Sequence, residues 1–504
     1  MTRSVDPATG TPATVYVGLR NRSYALFFND DWKLTRNLTL TLGLRDEYFG
    51  PMTDSTGRST NLVYGPGSTF TQRLANAGVQ VVPRFYNVPP GNLAPRFGFA
   101  WDPTKKGHTS IRGGYGISYD HIFSLRIGGY GSNPPFVGSA TLGPQFGTSF
   151  TYSLGDPSKA YFGYPVDPAL RVGLDSRNGI PGARVTVAAV NQNLSIPYAH
   201  SWFFGIQREL PGHVLVEINY SGSAGHHLLD TYDENRFAGD LLTNGIFHGI
   251  NPSFGQIRIV ESGTNSIYHG GNLRIRREFQ NGFLIQGAYT FGKSIGEIDN
   301  GSISTNFMDA NNHRIDRSVA SFDVQQQLSL VGIWRLPFFR SSKSWAGRAI
   351  GGWQLSGTTI LQTGMPINIT NGAAYPTGDY NADGSGLDRP NAPAASVQRS
   401  GWSRSDYLTG IFTAAEFPAP VRGTDGNLGR NVFRGPGFAE TDLSLAKIFR
   451  VTEKLSLQVR MDAFNAFNRV NLNNPVTDLS NTVFGHSTAA DSPRVFQGKV
   501  RIEF

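Results

Sequence analysis

Three short windows of the sequence carry residues that invite a chemical reading. Gly287-Ala-Tyr-Thr-Phe-Gly-Lys293-Ser294 has the spacing of a phosphate-binding loop. Such a loop must leave a buried strand and open a helix, so that its N–H groups and lysine meet phosphate oxygens. Here Tyr289 and Phe291 alternate with Ala288 and Thr290, which is the pattern of a strand running straight through. The overlapping Gly292-Lys-Ser294-Ile-Gly296 has the spacing of a hydrolase nucleophile turn and fails for the same reason. Asp379-Tyr-Asn381-Ala-Asp383-Gly384 opens like a calcium loop, with oxygen donors at alternate positions and a glycine for the sharp turn. Pro390 stands where the bidentate acid belongs, and Asp388 is the nearby substitute. Asp379, Asn381, Asp383 and Asp388 are therefore the candidate metal ligands, and calcium is the one cofactor considered. The competing reading is an Asx-rich turn, which favours the same residues. His226, His227 and the other eight histidines show no ligand spacing and are expected to be solvated loop or rim residues. No acid, base and nucleophile combine into a defensible set, so the chain is not expected to be an enzyme.

The elements that would position these residues are strands. Over residues 494–504, Phe496, Gly498, Val500, Ile502 and Phe504 share one parity, while Gln497, Lys499, Arg501 and Glu503 share the other. Successive strand side chains point to opposite faces, so the segment has one apolar and one charged wall. The design recurs. Tyr24, Leu26, Phe28, Trp32 and Leu34 lead through a turn at Thr35-Arg36-Asn37 into Leu38, Leu40, Leu42 and Leu44. Further hairpins pair Phe97, Phe99 and Trp101 with Ile111, Tyr115 and Ile117, and Trp202, Phe204 and Ile206 with Val214, Val216, Ile218 and Tyr220. Leu273 and Ile275 pair with Phe283, Ile285, Tyr289 and Phe291; Leu328, Leu330 and Trp334 with Trp353, Leu355 and Leu361; and Leu443, Leu445 and Phe449 with Leu455, Leu457, Val459 and Met461. That predicts about thirteen strands of about ten residues, the length a tilted strand needs to cross a bilayer. Short turns alternate with long Gly/Pro/Ser-rich segments, such as roughly 50–92, and aromatics gather near strand ends. The expected fold is all-β: an antiparallel transmembrane β-barrel with short periplasmic turns and long extracellular loops.

Composition agrees. Only 16% of residues are charged, 60 are Gly and 12% are aromatic. No apolar run is long enough for a transmembrane helix, while barrel strands escape hydropathy because their faces alternate. The net charge of +8 is scattered and forms no basic run, so nucleic acid is not an expected partner. Cysteine is absent, which suits an envelope protein without defining its compartment.

Several stretches together resemble the barrel of TonB-dependent transporters of the Oar-like type, which carry an N-terminal carboxypeptidase-regulatory-like domain. They are Tyr24-Ala-Leu-Phe-Phe-Asn-Asp-Asp-Trp32, Leu38-Thr-Leu-Thr-Leu-Gly-Leu-Arg45, Ala94-Pro-Arg-Phe-Gly-Phe-Ala-Trp101 and Asn219-Tyr-Ser-Gly-Ser-Ala-Gly-His226. Tyr289-Thr-Phe-Gly-Lys-Ser294, Asp462-Ala-Phe-Asn-Ala-Phe-Asn-Arg469 and Pro493-Arg-Val-Phe-Gln497 complete the set. The resemblance implies energised uptake across a Gram-negative outer membrane, with a plug gating passage and an inner-membrane TonB complex supplying force. It also implies a barrel of about 22 strands. A signal peptide, a plug and earlier strands are not read before Ser23, so residues 1–22 are expected to be a loop and 23–504 part of a larger barrel. A plug-less porin-like or adhesive barrel is the alternative.

Phe504, as a terminal aromatic, resembles the signal read by the barrel-assembly machinery. Arg112, Arg274, Arg276, Arg460, Lys499 and Arg501 fall on the polar parity and are expected to line the lumen, toward a plug or an anionic solute. Trp202, Phe204, Tyr220, Tyr289, Leu330, Trp353, Leu457 and Phe496 are expected to face lipid. An odd strand count leaves the first and last strands running the same way, so the sheet is expected to stay open. A short extra strand near residues 14–19 that closes a smaller ring is the less favoured outcome.

Overall fold

The period-two alternation and the short turns produce thirteen long strands in the computed structural model. The structure describes residues 2–7, 13, 18–122, 131, 133–141, 173–180, 184–280, 282–298, 307–338, 344–386, 388–450, 452 and 455–504. The strands are β1 (Ser23–Thr35), β2 (Leu38–Phe49), β3 (Asn92–Trp101), β4 (Thr109–Tyr119), β5 (Tyr198–Leu210), β6 (Val214–Asp233) and β7 (Phe254–Gln280). They continue with β8 (Phe283–Gly296), β9 (Gln326–Arg335), β10 (Gln354–Gln362), β11 (Phe438–Arg450), β12 (Ser456–Phe464) and β13 (Val495–Glu503). Each pairs antiparallel with its sequence neighbour, in one sheet ordered from β1 to β13. Two short strands attach beside this path: Val185–Val190 runs parallel to β7, and Ser318–Val319 pairs with β8.

Register decides which wall each residue joins, because a one-residue slip would exchange the two faces of a strand. Ile111, Ile206, Ile218, Leu273, Tyr289, Leu328 and Leu361 lie side by side across seven strands. One residue away on each strand, Arg112, Gly205, Asn219, Asn272, Thr290, Gln327 and Gln362 form the neighbouring row on the opposite face. Large apolar side chains of the first face stay exposed, Ile218 at 59% among them. On a folded chain, a wall of exposed apolar residues this broad marks a surface that meets another apolar phase.

The sheet is open. Among the described residues β1 pairs only with β2 and β13 only with β12, and every residue of both edge strands is exposed. β1 ends at the turn before Leu38, and β13 runs from a long connection back toward the short-turn side, so the edge strands point the same way. They cannot pair antiparallel with each other. Residues 14–17, most of the segment read as a closing strand, lie outside the described residues. Leu19–Arg20 pairs with Thr53–Asp54 instead.

The packed core lies in the long connections, beyond the sheet's loop-side end. One cluster joins Leu62, Leu74 and Val79 to Val187, Phe254 and Ile257; a second joins Phe85 and Tyr86 to Ile122, Leu194 and Val260. The third packs Ile367, Ile369, Phe412, Phe417, Leu428, Phe433 and Phe484. The long Gly/Pro/Ser-rich segment over roughly 50–92 contains strands Thr60–Val63 and Gly78–Val81 and the helix Phe70–Ala75, with Leu74 fully buried. Strand length departs from expectation. β6 has 20 residues and β7 has 27. A crossing consumes about 9–11 residues, so both run on past the bilayer, and the bulges between Gly225 and Asp230 mark where β6 leaves the regular ladder. On the short-turn side, the link between β9 and β10 is not a tight turn but contains the helix Trp345–Ile350.

Candidate functional site

The polar face is the first candidate surface. Arg112, Arg274, Arg276, Arg460, Lys499 and Arg501 share it by register, opposite the face that carries Trp202, Phe204, Tyr220, Tyr289, Leu330, Leu457 and Phe496. Trp353 has the parity of Leu355 and joins the apolar set. Arg112 and Arg274 bond across strands, whereas Arg460 and Arg501 each pair with the acid two residues further along their own strand. Arg112 donates to Gln207 Oε1 at 2.6 Å, and Arg274 reaches Glu217 at 3.5 Å and Gln286 at 2.9 Å. Arg460 Nε lies 2.7 Å from Asp462, directly across from Lys499, and Arg501 pairs with Glu503 at 2.8 Å. These contacts hold the side chains along the sheet. Phe504, just past β13, is 97% exposed.

One charge breaks the alternation. Lys447 has the parity of Leu445 and Phe449, yet it is buried. Its ammonium donates to the carbonyl oxygens of Ala349 and Gly351, at the end of the short helix, and lies over the rings of Trp353 and Phe449. Near a bilayer surface, a lysine on the apolar wall is tolerated when its stem lies along apolar surface and its head finds polar groups.

The Gly287–Ser294 window lies inside β8, with Gly292 opposite Gly270 and Lys293 opposite His269. Its N–H groups are spent within the fold, on the strand ladder, on the Gln325 carbonyl from Gly292 and on Asp323 Oδ1 from Ser294 at 2.7 Å.

Asp379, Asn381, Asp383 and Asp388 do come together, buried in the loop layer. Positive φ at Asp379, Ala382 and Gly384 curls the chain around the first carboxylate, which accepts the N–H groups of Asp383 and Gly384 at 3.0 Å each. Asp388 Oδ2 accepts the Asn381 N–H at 2.9 Å, and Asn381 donates to the Met308 carbonyl and to Asp425. Arg236, just past the end of β6, brings Nη1 to 3.0 Å from Asp383. The turn's counter-charge is thus a guanidinium from elsewhere in the fold. Among the described residues, the three carboxylates do not bring their oxygens within 4.8 Å of one another. The hydrogen bonds that Asp379 and Asn381 accept are those of an Asx turn. Burial raises the carboxyls of Asp383 and Asp388 to about 7, and Asp388 Oδ1 has no hydrogen-bond partner.

Among the described residues His108, His213, His227, His248 and His269 are exposed, as loop or rim histidines are expected to be, and His313 is the departure. His200 meets Tyr115 Oη at 2.6 Å and His269 meets Tyr220 Oη at 2.7 Å, and both stand among Trp202, Tyr198 and His226 on the apolar wall. That is an aromatic belt at the loop-side end of the strands, where amphipathic rings sit at a membrane interface. His313 is largely buried in the loop layer beside Asp230 and Glu261. No local spacing announces that trio, because it draws on three separate segments.

Thirteen antiparallel strands, one exposed apolar wall, one charged wall and aromatic belts define a β-sheet protein that spans the outer membrane of Gram-negative bacteria. The family model for the outer membrane beta barrel domain matches residues 4–497, and the chain belongs to that family. No curated protein matches it. Similar solved structures include the ferripyoverdine receptor of the outer membrane of Pseudomonas aeruginosa, at 13% identity and TM-score 0.43 over 98% of this chain and 40% of that one. The outer membrane transporter YddB from Escherichia coli shows 12% identity and TM-score 0.48 over 96% of this chain and 54% of its own. The siderophore receptor PiuA from Acinetobacter baumannii shows 12% identity and TM-score 0.42 over 96% and 43%. The chain spans about half or less of the length of these structures.

Proposed function

We propose that this chain is the barrel portion of an energised outer-membrane receptor that takes up a solute, of the TonB-dependent type. The observation that supports the reading is that, among the described residues, both edge strands of the sheet with one apolar and one charged wall are unpaired on their outer side. Unpaired backbone groups in hydrocarbon cost several kcal/mol each, so the gap between β1 and β13 calls for further strands. In this reading an odd number of additional transmembrane strands completes the ring with an even total. The polar face with Arg112, Arg274 and Arg460 lines the passage, and a plug occupies it. The packed loop layer receives the solute on the outer side, and the barrel-assembly machinery inserts the chain through its β13 end, with Phe504 as the recognition residue. Uptake by such a protein moves its solute without covalent chemistry.

Planar-bilayer conductance and heat-modifiable gel mobility of this chain alone test the proposal. The expected outcome is no discrete conductance and no heat-resistant folded band, because the open edges associate. A closed, heat-stable monomer with steady ion conductance would overturn the proposal in favour of a plug-less porin-like barrel.

A further inference from the structure

Above the membrane, the β6–β7 ladder sets Asp230 directly opposite Glu261. Glu261 lies about 19 residues from the β7 turn, well past the roughly 9–11 residues a crossing needs. The third side is closed by His313, the first residue of the short 3-10 turn His313–Asp316 in the connection between β8 and β9. One ligand atom from each of the three lies within 4.8 Å of the others, and His313 Nδ1 is 3.8 Å from Asp230 Oδ2.

The imidazole is oriented before any ligand arrives. Its Nε2 lies 3.0 Å from the Ala310 carbonyl oxygen, which can only accept. Nε2 therefore carries the ring proton, and Nδ1 turns a lone pair toward the carboxylates, the arrangement by which an outer hydrogen bond selects a ligating tautomer. Phe307 stacks on the ring at 3.7 Å and Tyr232 meets it edge-on at 4.5 Å, so it cannot swing away.

Asp230 lacks what a buried carboxylate requires. It is 1% exposed, and neither of its oxygens has a hydrogen-bond partner. The charged groups that act on it, Glu261 and Glu297, are both negative, and Arg317 is engaged by Glu297 at 2.7 Å. Burial with these neighbours raises its carboxyl to about 8, while burial depresses the His313 imidazole. A proton shared between the two is a poor remedy, since 3.8 Å exceeds hydrogen-bond length. A small cation at the centre would meet every lone pair at once.

We propose that Asp230, Glu261 and His313 form a binding site for a divalent transition-metal ion of the Zn2+ class. One imidazole nitrogen and two carboxylates leave a fourth position for water, and the nitrogen donor disfavours Ca2+ and Mg2+. Ligand atoms about 2.0–2.2 Å from a tetrahedral ion lie about 3.4 Å apart, close to the 3.8 Å between His313 and Asp230 and within the 4.8 Å that bounds the trio. The ion ties the outer ends of β6 and β7 to the connection that follows β8, and so fastens the loop layer over the sheet.

The test uses the full chain in detergent micelles, stripped with EDTA and titrated with Co2+, then with Zn2+ in competition. The expected result is about one ion per chain, visible Co2+ ligand-field bands that Zn2+ abolishes, and an affinity at least about tenfold weaker in His313→Ala. Asp230→Asn preserves shape and guards against simple misfolding. In EDTA it should melt at or above the wild type, because it removes an unpaired buried carboxylate, and Zn2+ should raise the wild-type Tm without raising the variant's. Asp388→Asn, in the separate acidic turn, should keep full binding. The proposal is overturned by absent ligand-field bands, by equal Zn2+ stabilisation of wild type and Asp230→Asn, or by loss of binding in Asp388→Asn.

Discussion

Asp388→Asn should make the loop layer more stable, and only at high pH. Asp388 is 1% exposed, with Oδ2 held by the Asn381 N–H and Oδ1 unpartnered. Burial, reinforced by the charges of Asp379 and Asp425, raises its folded-state carboxyl from 3.8 to about 7. An acid whose folded pKa lies above its unfolded one binds protons more tightly when folded. Stability is therefore complete below about pH 4 and falls as pH rises toward 7, where the native carboxyl ionises. The difference is about 3 pK units at 1.36 kcal/mol each, or about 4 kcal/mol at pH 8 as an upper bound, since Asp383 titrates in the same range and the two are coupled. Asparagine keeps the acceptor for Asn381 and stays neutral throughout. Hydrogen exchange over residues 366–391, in EDTA at about pH 4 and pH 8, reads the effect. Wild-type protection should fall between the two pH values, and the variant's should stay nearly level. The reasoning is refuted if wild-type protection is the same at both, or if the variant is the less protected at pH 8. Added Ca2+ is an internal check on the turn motif: if the turn binds it, the wild type at pH 8 is stabilised and the order reverses.

Adjacent residues of one strand should respond in opposite ways. Leu330→Arg, on the apolar wall of β9, should cost about 2–4 kcal/mol of folding free energy in lipid, while Ser329→Arg on the polar wall leaves folding near wild type; equilibrium urea titrations in liposomes measure both. Phe412→Ala removes a ring in edge contact with Trp402, Phe417 and Phe433. It should cost about 3–5 kcal/mol locally, seen as faster proteolysis within 366–486 with the sheet unchanged. Arg236→Met strands Asp383 in the interior and should destabilise the acidic turn by about 3–5 kcal/mol at pH 8. Much of that loss should be recovered near pH 5, where Asp383 takes up a proton, and thermal melting at the two pH values resolves it.

Strand alternation is a local property, so the sequence by itself determined the thirteen strands, their faces and, through their odd number, the open edges. Tyr289 and Thr290 face opposite ways wherever β8 lies, which is why a phosphate-loop spacing could be set aside before any coordinates. The long connections carry no such period. Their Gly, Pro and Asx residues describe turns but not what packs on what, so Leu74 against Val187, or Phe412 against Phe484, became visible only in the tertiary structure. Length, too, was out of reach: β7 continues past the membrane because Val185–Val190 pairs with its outer half, a partner about 70 residues away. The acidic turn was legible as a motif, but its counter-ion Arg236 was not. Asp230, Glu261 and His313 show the limit most plainly. Each is unremarkable in its own segment, and only the register of β6 on β7, together with the return of the connection after β8, places three lone-pair donors around one point.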